Sequence, residues 1–486
     1  MTLRFLAAAI LSGLLAASAA AAPLVIGGTV ITPNGPLPHA WIVIDQGKIQ
    51  AIETAQPAIP GAKVLATTDL IFPGFVDLHD HPAYNVIPRW SPGRLFDNRY
   101  QWRNAADYKT AISGPQGTLI RTQSGFCDID EFAEVKALVG GTTTLIGISS
   151  FGPLPVCAAG LARNLDLATG FYPRGVGERV RNEIGIQDKD GIAHDMNPAK
   201  AAEIAAQLSS GALDLLAIHA GEGKRGDALS VGELDLIDQA HMLGAHTVLV
   251  HGTAFDGSAF ARIHAAGAGL VWSPRSNIEL YGETTDIGAA RAAGVTVAIA
   301  PDWSPSGSDN TLAELRYAAA LDPAKYGGPA LTAKELFEMA SVVPARLAHI
   351  DDRVGTLAPG LYADLFVIPG DAARPYDALL QSGPDDVTLV LVAGEPIYGA
   401  KASLNALGVT ATEDVALCTG THALSSVALP AGPLAAARTR MTAVLKAQGS
   451  NLAPLAECPV APASVVAVPQ AAHPAPHRRK PAAHQL

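Results

Sequence analysis

The sequence predicts an α/β protein built on a (β/α)8 TIM-like barrel, and two observations lead to this fold class. Apolar, β-rich runs alternate with helical stretches over residues 71–352, which is typical of parallel strands joined by helices. Four of these runs end in residues that can bind a metal or transfer a proton. Catalytic side chains of such barrels lie at the carboxyl ends of the strands, so we expect these residues to meet at one mouth.

The first strand end carries two histidines. The apolar run 72–78 is followed directly by His79, Asp80 and His81. Side chains at positions i and i+2 of a strand lie on the same face. Both imidazoles can therefore reach one metal ion.

Three further strand ends extend this set. The run 215–218 ends at His219, the run 247–250 ends at His251, and the run 295–300 is followed by Pro301 and Asp302. Three of these four histidines together with the carboxylate would suit Zn²⁺ or Fe²⁺ and leave a position for water, as a catalytic site requires. The bound metal would lower the pKa of that water toward neutrality.

Five motifs, in the right order over most of residues 24–400, resemble those of the amidohydrolase superfamily. They are Pro73 to His81, Gly140 to Thr144, His219 to Glu222, His251 with Gly252, and Ser273 to Asn277. Within the superfamily the chain resembles the branch of cytosine and guanine deaminases and triazine chlorohydrolases. Asp302 stands where the last metal ligand of these enzymes lies.

The resemblance implies a role for each site residue. The metal ligands would be His79, His81, His219 and Asp302. Asp302 would also take a proton from the nucleophilic water, and Glu222 would carry that proton to the leaving group. His251 would hydrogen-bond the water or the developing oxyanion.

The resemblance also bears on the number of metal ions. Some members of the superfamily hold two metals with a carboxylated lysine at a strand end. No lysine ends an apolar run here, since Lys136 lies in a helical stretch. We therefore predict one divalent ion per chain, Zn²⁺ or alternatively Fe²⁺.

Aromatic rings alternate with guanidinium groups after the first strand. At the barrel mouth such side chains would stack on a planar ring and pair with an anionic group; packing of an insertion onto the barrel rim is the equal alternative. The candidate substrate-binding residues are Arg89, Trp90, Trp102, Arg275 and Trp303. We expect a small-molecule substrate, planar or anionic.

The two ends of the chain flank the barrel segment. Residues 23–70 and 353–400 contain short strands, and the resemblance implies that they pair into one small composite β-sandwich. Residues 401–458 form an extension beyond the usual end of the superfamily, with a helical stretch at 433–448. Residues 459–486 are rich in Pro and Ala and are expected to be disordered.

The amino terminus predicts export. Residues 1–22 have the pattern of a signal peptide, with Arg4 before an apolar stretch and small residues at its end. Cleavage near Ala20 would leave a chain without a segment long and apolar enough to span a bilayer. We expect a periplasmic protein, with secretion as the alternative.

Export changes what the four cysteines predict. In an oxidising compartment two disulfides are expected, whereas free buried thiols are the alternative. Pairing of neighbours in sequence gives Cys127 with Cys157 and Cys418 with Cys458.

The charge of the chain and the absence of two motifs argue against several classes of function. The chain has 34 basic and 45 acidic residues and a net charge of −11, with no basic stripe outside the arginine-rich segment, so nucleic acid is not expected as a partner. The phosphate-loop and serine-hydrolase spacings are absent. The oligomeric state stays open.

The resemblance implies a metal-dependent hydrolase of carbon–nitrogen bonds other than peptide bonds, most like a deaminase. Hydroxide would attack a ring amidine or amide carbon, and Glu222 would protonate the departing nitrogen. The alternative enzyme is a cyclic amide or capped-dipeptide hydrolase. The alternative from another class is a non-catalytic, secreted metal-binding or ligand-binding protein.

Overall fold

The computed structural model describes residues 22–147, 161–166, 179–186, 195–321, 331–429 and 432–458. The strands are β1 (Leu24–Thr32), β2 (Gly35–Asp45), β3 (Lys48–Glu53), β4 (Lys63–Pro73), β5 (Phe75–Val76), β6 (Thr142–Leu145), β7 (Arg163–Asn164), β8 (Val180–Glu183), β9 (Leu215–Ala220), β10 (Thr247–His251), β11 (Gly269–Trp272), β12 (Val297–Ile299), β13 (Leu365–Ile368), β14 (Leu389–Val392), β15 (Glu395–Gly399), β16 (Thr412–Ala416) and β17 (Thr421–Ser425).

The helices alternate with the middle strands. They are α1 (Arg99–Asn104), α2 (Ala106–Tyr108), α3 (Gly114–Ile120), α4 (Gly125–Leu138), α5 (Pro198–Ser209), α6 (Ala228–Gln239), α7 (Gly257–Ala265), α8 (Pro274–Tyr281), α9 (Ile287–Ala292), α10 (Thr311–Ala319), α11 (Ala333–Met339), α12 (Val342–Leu347), α13 (Pro375–Gln381), α14 (Lys401–Ala406) and α15 (Leu434–Ala447). α11 and α12 are separate helices, because Pro344 has no N–H to bond the carbonyl of residue 340 and continue the first one.

Eight of the described strands form two sheets in which all pairing is parallel, and the candidate site lies at the ends of these strands. β5, β6 and β7 form one sheet in chain order, and β8 to β12 form another. Just beyond β5 and β12, Asp80 and Asp302 form a parallel bridge that joins the first and the last of these strands. The carboxyl ends of the strands therefore lie at one edge, as the α/β prediction requires.

Strands from both ends of the described chain pair in one nine-stranded sheet. The order is β16-β17-β15-β14-β13-β4-β1-β2-β3. The two ends meet where β4 pairs antiparallel with β13, with Phe72 opposite Phe366. These rings stack with centroids 5.5 Å apart, and Phe75 packs 4.8 Å from Phe366. The seam of the sheet thus directly precedes the first strand of the site.

Close packing at this seam explains a glycine of the second motif. Gly141 has a φ of +78°, which favours glycine. A Cβ there would lie 2.8 Å from the ring of Phe366. The residue is therefore needed for the approach of β6 to the nine-stranded sheet.

The C-terminal extension packs against the helices near the site. Cys418 and Cys458 form a disulfide with Cα atoms 5.3 Å apart, which confirms that predicted pair. α15 packs on α3 and α4, and Arg440 pairs with the buried Asp128. The second predicted pair cannot be compared, since Cys157 lies outside the described residues.

The part of the chain that the structure describes has no helix with the length and apolar character needed to cross a bilayer. Residues 1–21 of the predicted signal peptide and the tail from residue 459 lie outside the described ranges.

Helix α4 buries acidic side chains against the extension. Glu131 is 4% exposed, and neither of its carboxylate oxygens has a hydrogen-bond partner among the described residues. Burial, followed by the negative charges of Glu413, Asp128 and Glu134, raises the pKa of Glu131 to about 8. This carboxyl group therefore opposes folding once it ionises.

We predict that Glu131→Gln stabilises the protein, and more so at alkaline pH. The pKa is raised in the folded state, so the unfolded chain loses this proton first and the destabilisation grows as the pH rises from about 4.5 to about 8. The gain in Tm should be larger near pH 9 than near pH 5, measured by circular dichroism. Glu53→Gln on exposed β3 is the control, and a gain independent of pH would contradict the prediction.

Candidate metal centre and active site

Three imidazoles and one carboxylate converge at the carboxyl ends of the parallel strands. Nε2 of His219 lies 3.1 Å from Nε2 of His79 and 3.3 Å from Nε2 of His81. Oδ1 of Asp302 lies 3.2 Å from Nε2 of His79 and 3.5 Å from Nε2 of His81. The four predicted ligands are thus brought together from β9 and from the loops after β5 and β12.

These separations fit a tetrahedral divalent metal. Zinc–nitrogen bonds of roughly 2.0–2.1 Å place neighbouring ligand atoms roughly 3.3–3.4 Å apart, close to the distances seen here. Burial, followed by the charges of neighbouring imidazoles, lowers the pKa of His79 and His219 well below its usual range. Neutral imidazoles with free lone pairs are the form that binds a metal.

The metal-capable groups point to a single centre. Among the described residues, every cluster of three or more such side chains is drawn from the same six residues: His79, His81, His219, Glu222, His251 and Asp302. Lys136 is buried elsewhere, with its Nζ 2.7 Å from Asp309. The prediction of one ion held without a bridging lysine is consistent with this arrangement.

A backbone carbonyl and a side-chain hydroxyl orient two of the candidate ligands. Nδ1 of His219 lies 3.1 Å from the backbone oxygen of Glu183 at the end of β8. A carbonyl only accepts, so this nitrogen carries the proton and Nε2 keeps its lone pair for a metal. Nδ1 of His79 lies 2.9 Å from Oγ of Ser273, which orients that ring.

Two site residues have left-handed backbone conformations. His251 has a φ of 75° and Asp302 a φ of 71°, which non-glycine residues rarely adopt. The N–H of Asp302 donates to the carbonyl of His79, and the hydroxyl of Thr285 donates to the carbonyl of His251. These bonds hold the sharp turns at the strand ends.

Glu222 lies beside the ligands with both oxygens in defined surroundings. Its Oε1 accepts from the hydroxyl of Tyr281 at 2.6 Å, and its Oε2 lies 3.7 Å from Nε2 of His251. Burial raises the pKa of Glu222 to about 7, against the opposing charge of Arg99 and the Tyr281 hydrogen bond. A carboxyl group with this pKa can accept and donate a proton near neutral pH.

Two side chains of the site carried no predicted role. Tyr281 donates to Glu222, and Nδ2 of Asn277 lies 2.9 Å from Nδ1 of His251. Both residues lie on α8, four positions apart, and so share one face of the helix. The sequence could have indicated Tyr281 as a site residue, because it follows Asn277, the last residue of the Ser273 to Asn277 motif, by one helical turn.

Aromatic rings form a wall beside the ligands. The Trp303 ring lies 6.0 Å from His81 and 5.5 Å from Trp102, and Tyr84 lies 5.4 Å from Trp303. The indole N–H of Trp102 donates to Tyr281 at 2.8 Å. Trp90 is further out and packs on Phe96 and Tyr108.

The two predicted anion-binding arginines, Arg89 and Arg275, contact the same protein carboxylate. Nε of Arg89 donates to Glu457 at 2.9 Å, and its NH2 donates to the carbonyl of Gly307 at 2.7 Å. Arg275 pairs with the other oxygen of Glu457. A carboxylate of the C-terminal extension thus contacts both guanidinium groups, and their role in substrate binding stays a prediction.

We predict that Glu457→Gln lowers the Tm. The change removes the charge that two partly buried guanidinium groups share, and hydrogen bonds to charged groups each contribute about 1.5–3 kcal/mol when well formed. Asp107→Asn is the matched control, because its pair with Arg94 is exposed and such pairs contribute little. Equal Tm changes in the two variants would contradict the stabilising role of Glu457 between Arg89 and Arg275.

We predict that changing His79 and His81 together to Ala abolishes metal binding. Elemental analysis by plasma mass spectrometry should give about one equivalent of a divalent metal for the parent and almost none for the variant. The control changes His246 and His349 to Ala, two histidines outside the site whose ring centroids lie 4.4 Å apart. Two tightly held equivalents in the parent, or metal retained in the variant, would contradict the single centre.

Comparisons with known proteins agree with this geometry. The profile described as Amidohydrolase family matches residues 70–397. The 8-oxoguanine deaminase of Pseudomonas aeruginosa is 25% identical over 417 residues, covering 75% of this chain and 91% of the relative. The 5-methylthioadenosine/S-adenosylhomocysteine deaminase of Symbiobacterium thermophilum is 25% identical over 424 residues, covering 76% and 92%.

A solved structure shares the fold. The zinc-bound adenosine deaminase from Xanthomonas campestris has a TM-score of 0.62 and 18% identity, over 88% of this chain and 99% of that chain. The predicted resemblance to amidohydrolases and their deaminases is confirmed. The chain belongs to the amidohydrolase family and is a hydrolase of carbon–nitrogen bonds other than peptide bonds.

Proposed function

We propose that this protein is a metal-dependent aminohydrolase that replaces an amino group on a planar heteroaromatic ring by oxygen and releases ammonia. The observation that carries this proposal is the position of Glu222. Its Oε2 lies near Nε2 of His251, beside the metal-ligand set, and its pKa of about 7 suits proton transfer at neutral pH.

The residues divide the reaction between them. His79, His81, His219 and Asp302 would hold Zn²⁺ or Fe²⁺, which supplies an activated water when bound. Asp302 accepts a proton as the water oxygen bonds to the ring carbon. Glu222 carries that proton from Asp302 to the amino nitrogen, so that the carbon–nitrogen bond breaks with ammonia as the leaving group. His251 donates a hydrogen bond to the reacting oxygen.

The aromatic wall favours a planar substrate. Trp303 and Tyr84 lie within 6.5 Å of the His81 ring, where a flat ring can stack beside the reacting centre. The names of the relatives, which include 8-oxoguanine and adenosine deaminases, support amino-substituted purines as the class to test first. Trp102 and Trp303 are the wall residues retained from the predicted set, and Trp90 supports them.

The alternative functions have weaker support. A cyclic-amide or capped-dipeptide hydrolase would need the arginine-rich segment to hold a substrate carboxylate. Arg89 and Arg275 are both paired with Glu457, a carboxylate of the protein itself. A binding protein without catalysis does not account for the complete set of proton-transfer groups around the ligands.

The architecture and the compartment also belong to this proposal. The eight parallel strands close into a (β/α)8 barrel over residues 71–352, and the bridge between Asp80 and Asp302 supports closure. Residues 23–70 and 353–400 form the composite sandwich. The disulfide between Cys418 and Cys458 supports export to an oxidising compartment, the periplasm.

Ammonia release tests the reaction. The zinc-loaded protein should release ammonia from one of guanine, 8-oxoguanine, adenine or adenosine in a glutamate dehydrogenase assay. Glu222→Gln should lower kcat by on the order of 10²–10⁴-fold and retain the metal, because it removes the proton-transfer group.

The control for this variant is Glu279→Gln, which changes an exposed glutamate of α8. Ring-opened products from hydantoins or other cyclic amides, without ammonia from any amino-heterocycle, would favour the alternative hydrolase. Full turnover in Glu222→Gln would refute its proton-transfer role.

A further inference from the structure

We propose that a chain of oriented hydrogen bonds, which begins at Trp272, holds His251 in the tautomer with its proton on Nε2. Thr284 and Asn277 are the intermediate members of this chain and therefore positioning residues of the site. The use of that proton in the reaction rests on the proposed function, whereas the tautomer itself does not.

The contacts form an unbroken series. Nε1 of Trp272 lies 2.7 Å from Oγ1 of Thr284, which lies 3.4 Å from Oδ1 of Asn277. Nδ2 of Asn277 then lies 2.9 Å from Nδ1 of His251. None of the four side chains is more than 4% exposed, so water offers them no alternative partners.

The direction of each bond follows from the first. An indole N–H can only donate, so the Thr284 oxygen accepts from it and its own hydrogen is left to donate. The acceptor within reach is Oδ1 of Asn277, at the long end of hydrogen-bond range. This orients the amide with its NH2 group toward Nδ1 of His251. A nitrogen that accepts has no proton, so a neutral His251 carries its proton on Nε2.

The charge at the other end of the series favours the same arrangement. Nε2 of His251 lies 3.7 Å from Oε2 of Glu222, and an ionised carboxylate only accepts. A reversed Asn277 amide would put the proton on Nδ1 and turn the Nε2 lone pair toward that carboxylate. A donor-only group at the start and an acceptor at the end therefore favour one tautomer.

A second, shorter series meets the first at Glu222. The indole of Trp102 donates to Tyr281 at 2.8 Å, and Tyr281 donates to Oε1 of Glu222 at 2.6 Å. Oε1 is thereby occupied. The Oε2 atom is then the oxygen that faces Nε2 of His251, and it is an acceptor while Glu222 is ionised.

The tautomers explain why two neighbouring histidines differ in role. The rings of His219 and His251 lie 5.3 Å apart. Nδ1 of His219 faces the carbonyl of Glu183 and must donate, which leaves Nε2 bare for a metal. Nδ1 of His251 faces an amide donor and must accept, which makes Nε2 a hydrogen-bond donor to the reacting oxygen.

Kinetics test the intermediate members. Thr284→Val keeps the shape of the side chain without the hydroxyl, and should lower kcat by about 10–100-fold with little change in KM. Thr284→Ser should retain the parent kcat. Thr253→Val is the matched control, a buried threonine whose hydroxyl has no partner among the described residues. Parental kcat in Thr284→Val, or an equal loss in Thr284→Ser, would overturn the role of the hydroxyl.

Nitrogen-15 NMR of the zinc-loaded full chain, with labelled histidine, tests the tautomer directly. The signals of His251 are those missing from His251→Gln. In the parent we expect a proton on Nε2 and none on Nδ1. Asn277→Asp replaces the amide donor by a carboxylate that only accepts, and should place a proton on Nδ1.

This measurement needs no substrate, so it separates the tautomer from the proposed reaction. A proton on Nδ1 in the parent, or a bare Nδ1 in Asn277→Asp, would overturn the inference even if ammonia is released. If NMR shows the expected tautomers but no ammonia is released, the tautomer inference holds and the deaminase proposal is refuted.

Discussion

The site depends on the packing of several polar groups into a volume that excludes water. Three imidazole nitrogens and a carboxylate oxygen lie within 3.1–3.5 Å of their neighbours in this set. Burial raises the pKa of Asp302 well above its usual range and lowers that of His79. Such a cluster is costly unless a divalent cation neutralises the carboxylate and uses the imidazole lone pairs. The left-handed turns at His251 and Asp302 are a further cost that the surrounding hydrogen bonds offset.

Orientation in this cluster is set by the partners of each ring. A histidine can bind the metal through Nε2 where its Nδ1 faces a carbonyl, as in His219. It is a hydrogen-bond donor through Nε2 where its Nδ1 faces an amide N–H, as in His251. The two oxygens of Glu222 also differ in their neighbours, since Oε1 accepts from Tyr281 and Oε2 faces His251. The surrounding polar side chains therefore determine the chemistry of the site as much as the ligands themselves do.

The C-terminal extension belongs to the site rim rather than to a separate unit. Glu457 lies between Arg89, from the loop after β5, and Arg275, at the start of α8. The neighbouring Cys458 is bonded to Cys418, which follows β16. Two partly buried guanidinium groups without this carboxylate would be left uncompensated, so the extension stabilises the loops that carry the aromatic wall.

The sequence by itself predicted the α/β class and the candidate metal ligands, and the family resemblance implied that the two ends of the chain pair. The class and the candidate ligands follow from local rules: the two-residue period of a strand, the His219–Glu222 spacing and the placement of reactive residues after apolar runs. The sequence could not identify the contacts of four further residues, because their partners come from other segments. These residues are Arg89, Arg275, Asn277 and Tyr281. Arg275 and Glu457 are 182 residues apart, and Trp102 and Tyr281 are 179 apart. Local periodicity decides which face of an element a side chain lies on, but only the tertiary structure decides which group meets it there.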